Sequence, residues 1–301
     1  MDSSAPAPVS IEADVQPPGA YRLPPAGRDG LMGRDGSALV RLLHHEGRPV
    51  RVRAWPVPGA VRLRAEADGS DAAAYGVERM RFALGLDHDL GPFHRAFRRH
   101  PLLGPAIRRR PWLRPKRRPE PFEALAWAIT EQLIESDRAA EIQRRIVWSW
   151  GRRHAERWDA PLPAVLAGAA PAELAAFDLA PRRAIALVRA AREVASGRAD
   201  LSRHEQSWRR LLAIPEVGPW TIECLAVGGQ GRDDMLPAGD LAYVKLVGRL
   251  EGLGRRATVE EVREFFAPFA PFQALAGTYL LTDRHAVYPR RPPPWLRARA
   301  A

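Results

Sequence analysis

Asp240 follows the stretch "LPAG" and stands at the mouth of the amphipathic run "LAYVKLVGRL". Pro237 and Gly239 turn the chain sharply just before it. A carboxylate placed there has two uses. Asp is a favoured N-cap, its oxygen satisfying amides of the first helical turn. It is also available for electrostatic or acid–base chemistry at whatever the loop faces. Twenty residues upstream lies Trp220, inside "LLAIPEVGPWTIECL", residues 211–225. Here Pro215 stops one helix, because proline lacks an amide donor and restricts Ile214 before it. Gly218 is expected to supply a positive φ, and Pro219 suits the first position of the next helix. Amides of such a turn point outward as unpaired donors. Pro215, Val217 and Gly218 therefore form a candidate cradle for a phosphate, held without reading any base.

Composition narrows the alternatives. The one cysteine, Cys224, rules out an intrachain disulfide, a cysteine-based zinc site and a four-cysteine iron–sulfur cluster. The eight histidines show no metal-ligand spacing. No run of about 18 apolar residues is present to cross a membrane, and the first twenty residues lack the basic and apolar regions of a secretory signal. A cytoplasmic protein is expected. The formal net charge of +11 favours a polyanionic partner, because neutralising phosphates releases condensed counterions. Lys116 and Lys245 are the only lysines among 46 basic residues, so the arginine excess also fits a compositional habit of an Ala-, Pro- and Gly-rich sequence.

The elements that must position these residues are legible in outline. Residues 1–36 read as a flexible Pro/Ala/Ser-containing tail followed by turns. Over 40–67 apolar and polar residues alternate: Val50, Val52 and Ala54 point one way, Arg51 and Arg53 the other. That is the period of half-buried antiparallel strands. From about Asp71 the period becomes helical. "IRRRPWLRPKRRPEP", residues 107–121, has seven basic side chains among its prolines and reads as a linker, either a phosphate contact or a solvated connector. Helical patterns then run through "PFEALAWAITEQLIE", "DRAAEIQRRIVWSWG", "PRRAIALVRAAREVASG", "EQSWRRLLAI", "VEEVREFFAPF" and "QALAGTYLLTDRHA". The expectation is a mainly α protein with a small α+β N-terminal domain over 37–119. A helical domain follows over 120–288, and then a C-terminal tail over 289–301.

A helix–hairpin–helix followed by a Gly/Pro-rich loop ending in Asp resembles the helix-hairpin-helix–Gly/Pro/Asp DNA glycosylase superfamily, most of all its 3-methyladenine DNA glycosylase II branch. The resemblance covers roughly residues 40–285. It implies the helix-hairpin-helix glycosylase fold and double-stranded DNA as partner. It also implies base-excision repair, in which a damaged, alkylated purine is flipped out and its N-glycosidic bond hydrolysed. Asp240 takes the catalytic position, where a carboxylate stabilises an oxocarbenium-like sugar or orients water. Asp233 and Asp234 lack the family spacing. "FEALAWAITEQLI" looks like the helix bearing a glutamine and an inserting apolar residue. Leu133 would then fill the hole left by the flipped base and Gln132 would contact the opposite base or the minor groove; ordinary helix core is the other reading of Leu133. Trp220 corresponds to a pocket aromatic, with packing against the Asp240 loop as its alternative. Lyase members carry a Schiff-base lysine where Trp220 stands. Lys116 and Lys245 lie elsewhere, so hydrolysis alone is expected.

The sequence also departs from that branch. Glu216 occupies the first glycine position of the hairpin, where a carboxylate repels DNA phosphate. Cys224 and Leu281 replace pocket aromatics, with Trp127 and Tyr279 as candidates to compensate. The family's hairpin can hold a structural monovalent cation through backbone carbonyls, here those of Leu212, Ile214 and Val217; no cofactor is otherwise required. A monomer is expected, with no membrane association. Two further functions stay open: a glycosylase for deaminated or oxidised bases, and a non-catalytic helix-hairpin-helix DNA-binding protein. The preferred lesion and the opposite base are not legible.

Overall fold

The computed structural model describes residues 9–282; the tail expected over 289–301 lies outside them. In chain order the elements are β1 (Val9–Val15), β2 (Met32–Asp35), β3 (Ala38–His45), β4 (Arg48–Val57), β5 (Ala60–Ala67), α1 (Ser70–Leu84), α2 (Gly91–Phe97), α3 (Leu103–Arg109), α4 (Pro121–Glu131) and α5 (Ser136–Trp150). They continue with β6 (Arg152–His154), β7 (Arg157–Asp159), α6 (Pro163–Gly168), α7 (Pro171–Ala176), α8 (Pro181–Ala195), α9 (His204–Leu212), α10 (Pro219–Gln230), α11 (Leu241–Leu250), α12 (Val259–Phe266) and α13 (Gln273–Thr282). The mainly helical chain with a small N-terminal sheet is as expected.

The sheet is antiparallel, in the order β1-β5-β4-β3-β2. In β4 and β5 alternate residues are buried, and their apolar face packs on Ala72, Ala73, Val77, Met80 and Leu84 of α1. Residues 9–36 of the tail expected over 1–36 are described, and they are ordered parts of the fold. "VSIEADV" forms edge strand β1, pairing Ile11 with Ala65 and Ala13 with Leu63. Its period-2 alternation was there to be read; the outward acids Asp14 and Glu12 meet Arg62 and Arg64 of β5. Further on, Leu31 enters the helical core and Asp29 is buried against Trp127.

Packing also redraws the boundary expected at 119. The helices fall into two cores. One is built from α4 to the first half of α10. The other joins Leu90–Ile107 to Leu236–Leu280, far apart in sequence. The basic segment 107–121 is not simply a solvated linker: Arg108, Arg109 and Lys116 are exposed, but three of its arginines are used internally. Arg114 donates to the carbonyls of Ala20 and His88, Arg117 pairs with Asp233, and Arg118 pairs with Asp29 and Glu123. It is a strap tying the cores to one another and to the connection between β1 and β2.

Sheet and helices meet over buried charge. Arg41 of β3, 1% exposed, donates to Glu123 Oε2 of α4 at 2.6 Å and to Asp159 Oδ1 at 3.2 Å. His44 lies 3.0 Å from the other Asp159 oxygen. Removing one partner of such a cluster leaves uncompensated buried charge. Arg41→Ala is therefore expected to cost ~3–5 kcal/mol, measurable as a fall in the urea midpoint; a loss under ~1 kcal/mol would show that the cluster is effectively solvated.

Candidate active site at the junction of the two helical cores

Helices α9 and α10 form the hairpin, and the positive φ falls elsewhere than expected. Gly218 is extended (φ −103°, ψ −179°), whereas Glu216 is left-handed at φ 70°. The turn places its strain on a residue with a Cβ, at about 1–2 kcal/mol. The Glu216 carboxylate turns towards Arg182, 3.7 Å away. A Cβ built on Gly218 would meet no atom within 4 Å, so nothing inside the protein demands glycine there. Among the described residues the Gly218 and Trp220 amides have no backbone acceptor, as the start of a helix leaves them. Val217 and Ile214 are buried beneath the turn, and Leu212 is exposed beside it.

Helix α4 ends at Glu131, earlier than its apolar pattern suggests. Leu133 then takes φ 55° and is fully exposed, at 102%. That rules out the helix-core reading: the backbone turns the side chain away from both cores. Arg183 of α8 holds the loop by donating to the Gln132 carbonyl at 2.6 Å. The Gln132 side-chain amide donates to the Glu216 carbonyl at 2.7 Å and to Thr221 Oγ1 at 2.8 Å. Gln132 thus braces the Leu133 loop against the hairpin, a role its sequence position did not suggest.

Asp240 and Trp220 meet across the junction of the cores. Asp240 caps α11, its Oδ1 accepting from the Ala242 amide at 2.8 Å. Its Oδ2 lies 3.3 Å from the Trp220 Nε1 donor. Both side chains are partly buried. Trp220 also backs the loop, its Cβ 3.9 Å from where a Cβ on Gly239 would stand. Cys224, one turn on from Trp220, lies on the same side of α10. Burial pushes its thiol well above the usual range, and the charges of Glu131, Asp240 and Glu223 add to the shift; it is a neutral wall of the site and no thiolate nucleophile.

Two candidate pocket residues go elsewhere. Trp127 is 2% exposed in the first helical core, its indole donating to Asp29 at 3.0 Å. Tyr279 is buried in the second, its hydroxyl donating to the Arg110 carbonyl at 3.0 Å. Neither restores the missing aromatic surface. Leu281 is partly exposed on α13, which packs against α11. Asp233 is occupied by His88 and Arg117, and Lys116 and Lys245 are exposed. A cavity of about 630 Å³ lies away from this junction, between α1, the His88 loop and Arg117.

The fold and the site define a helix-hairpin-helix protein with an aspartate-bearing loop. No family model matches the chain. It is similar to the DNA-3-methyladenine glycosylase of Bacillus subtilis (27% identity, 65% of this chain and 67% of that one). A Mycobacterium tuberculosis protein described as a probable bifunctional transcriptional activator/DNA repair enzyme AlkA is 30% identical over 75% of this chain, which spans 46% of that protein. Among solved structures, a 3-methyladenine DNA-glycosylase from Archaeoglobus fulgidus superposes with a TM-score of 0.75 at 20% identity, over 92% of this chain and 99% of that one. The chain is thus similar in sequence to proteins named DNA-3-methyladenine glycosylase, and it shares the fold of the Archaeoglobus structure.

The hairpin strain has a measurable consequence. Glu216→Gly is expected to stabilise the protein by up to ~1 kcal/mol, seen as a small rise in Tm; an unchanged or lower Tm would mean that the left-handed turn costs nothing here.

Proposed function

We propose that this protein is a monofunctional DNA glycosylase of base-excision repair. It binds double-stranded DNA as a monomer, flips out an alkylated purine and hydrolyses its N-glycosidic bond. The observation that carries this reading is the meeting of the Asp240 carboxylate with the Trp220 indole at 3.3 Å. The names of the Bacillus and Archaeoglobus relatives support it. No described helix is long and apolar enough to cross a membrane, and the reading carries with it the cytoplasmic location expected from the unpaired cysteine.

In the proposed reaction the bond from C1′ to the base nitrogen breaks and its electron pair leaves with the base. An N-alkylated purine is already cationic, so it departs neutral and needs little acid assistance. The sugar becomes oxocarbenium-like. Asp240 stabilises that charge and takes a proton from the water that adds at C1′. Trp220 offers a π face to the cationic base. The negative charges of Glu131 and Asp240 near Cys224 suit a cationic base, in place of the missing aromatics. Leu133 enters the vacated stack and offsets part of the unstacking cost. Gly218 and the start of α10 receive a phosphate, which can approach closely because no side chain occupies the space at Gly218. The Leu212, Ile214 and Val217 carbonyls are the proposed ligands of a monovalent cation. Among the described residues those of Leu212 and Val217 accept no backbone hydrogen bond, which leaves them free to do so. Hydrolysis written this way calls for no cofactor. Neither action on deaminated or oxidised bases nor a loss of catalysis is favoured.

Incubating the protein with methylated duplex DNA and counting abasic sites tests the reading. Asp240→Asn retains a capping oxygen and is expected to lower release of methylated purines by at least ~100-fold with DNA binding nearly intact; normal excision by this variant refutes the assignment. The wild-type protein should leave uncut abasic sites and no borohydride-trapped adduct. Leu133→Ala, at a fully exposed position, should leave stability within ~0.5 kcal/mol while slowing excision by ~10-fold or more; unchanged excision removes Leu133 from the wedge role.

A further inference from the structure

The loop carrying Asp240 is held from behind by a second acid. Glu223 lies on α10 three residues after Trp220 and is buried. Its Oε2 accepts from the Ala238 amide at 3.1 Å, and its Oε1 from Arg263 Nη2 of α12 at 3.2 Å. Ala238, itself buried, is two residues before Asp240. The Ala238 amide is shared with the Leu236 carbonyl at 2.7 Å, and the Asp240 amide closes the turn on the Pro237 carbonyl at 2.9 Å. Gly239 sits between Trp220 Cβ and Val259 Cγ2, each 3.9 Å from where its Cβ would be. The loop is thus gripped by α10 on one side and α12 on the other. Among the described residues, the charged group that bonds its backbone from α10 is Glu223. Burial raises its carboxyl above the usual range, while Arg263 and the Ala238 amide oppose that shift. Without the carboxylate the buried Ala238 amide loses this acceptor and Arg263 its partner.

We propose that Glu223 is a positioning residue for Asp240: anchored by Arg263, its carboxylate fixes the Ala238 amide and so sets where the Asp240 carboxylate points. The inference rests on the reading of Asp240 as the group that assists glycosidic cleavage. Glu223 acts on the aim of that group and does not meet the substrate. A displacement near 1 Å at a reacting group costs on the order of 10²-fold in rate, whereas the Glu223 carboxylate bonds the Ala238 amide and Arg263 and neither the hairpin turn nor Leu133, the proposed DNA contacts.

The test is single-turnover excision of methylated purine beside the Kd for a duplex with an abasic-site analogue. Glu223→Ala is expected to slow excision by ~10–100-fold with Kd within about twofold. Glu223→Gln, which keeps an acceptor for the Ala238 amide, should recover most of that loss. Arg263→Met should give the same split between rate and binding at smaller size, and with Glu223→Gln it carries the test if the alanine variant does not fold. Wild-type excision by Glu223→Ala, or parallel loss of rate and binding with no rescue by glutamine, overturns the proposal. A crystal structure of the variant separates it from the functional reading: a displaced Asp240 supports the positioning role even if wild-type protein releases no methylated purine, and an undisplaced loop refutes it even if the enzyme is active.

Discussion

Helix α10 has to satisfy two cores at once, and the site exists because it does. Ile222 and Leu225 are packed in the core built from α4 to α9. Trp220 and Glu223 hold the loop whose Leu236 and Ala238 belong to the other core. A helix is stiff over this length, so the hairpin at its start and the acid it braces keep a fixed separation. Neither core alone presents Asp240 beside an indole.

The second constraint is the brace across the hairpin. Gln132 ties the Leu133 loop to the Glu216 carbonyl and to Thr221, while Arg183 holds the Gln132 carbonyl. An apolar residue fully in solvent gains no burial energy, and its left-handed backbone has a cost. Such features persist where surrounding structure over-determines them, and they concentrate at functional sites. The same holds for Glu216, whose backbone carbonyl serves the brace while its conformation strains the turn.

Charge is handled in two ways that composition cannot separate. The net charge of +11 suggested a surface given over to phosphate. Yet several arginines of the 107–121 segment are used internally, on Asp29, Glu123, Asp233 and backbone carbonyls. Arg41 is among the most deeply buried side chains of the molecule. A count of arginines therefore overstates the basic surface, because guanidinium groups also satisfy buried carboxylates and carbonyls.

Local chemistry along the chain was enough for the hairpin, the Asp240 cap, the β4–β5 alternation and most of the helices, because periodicity, proline and capping act over a few residues. It was also enough to bring Asp240 and Trp220 forward as a pair, through the resemblance of their spacing. It did not reveal β1, although the alternation was present, since proline-rich flanks masked it. Four placements were decided by tertiary structure alone. Trp127 and Tyr279 went into the cores, because buried polar partners claimed their NH and OH groups. Leu133 went into solvent, because the Arg183 contact and the Gln132 brace hold the turn just beyond the end of α4. Glu223 reached the Ala238 amide across a gap of fifteen residues. Such pairings depend on which buried groups find partners once the chain is closed, and no local pattern encodes that.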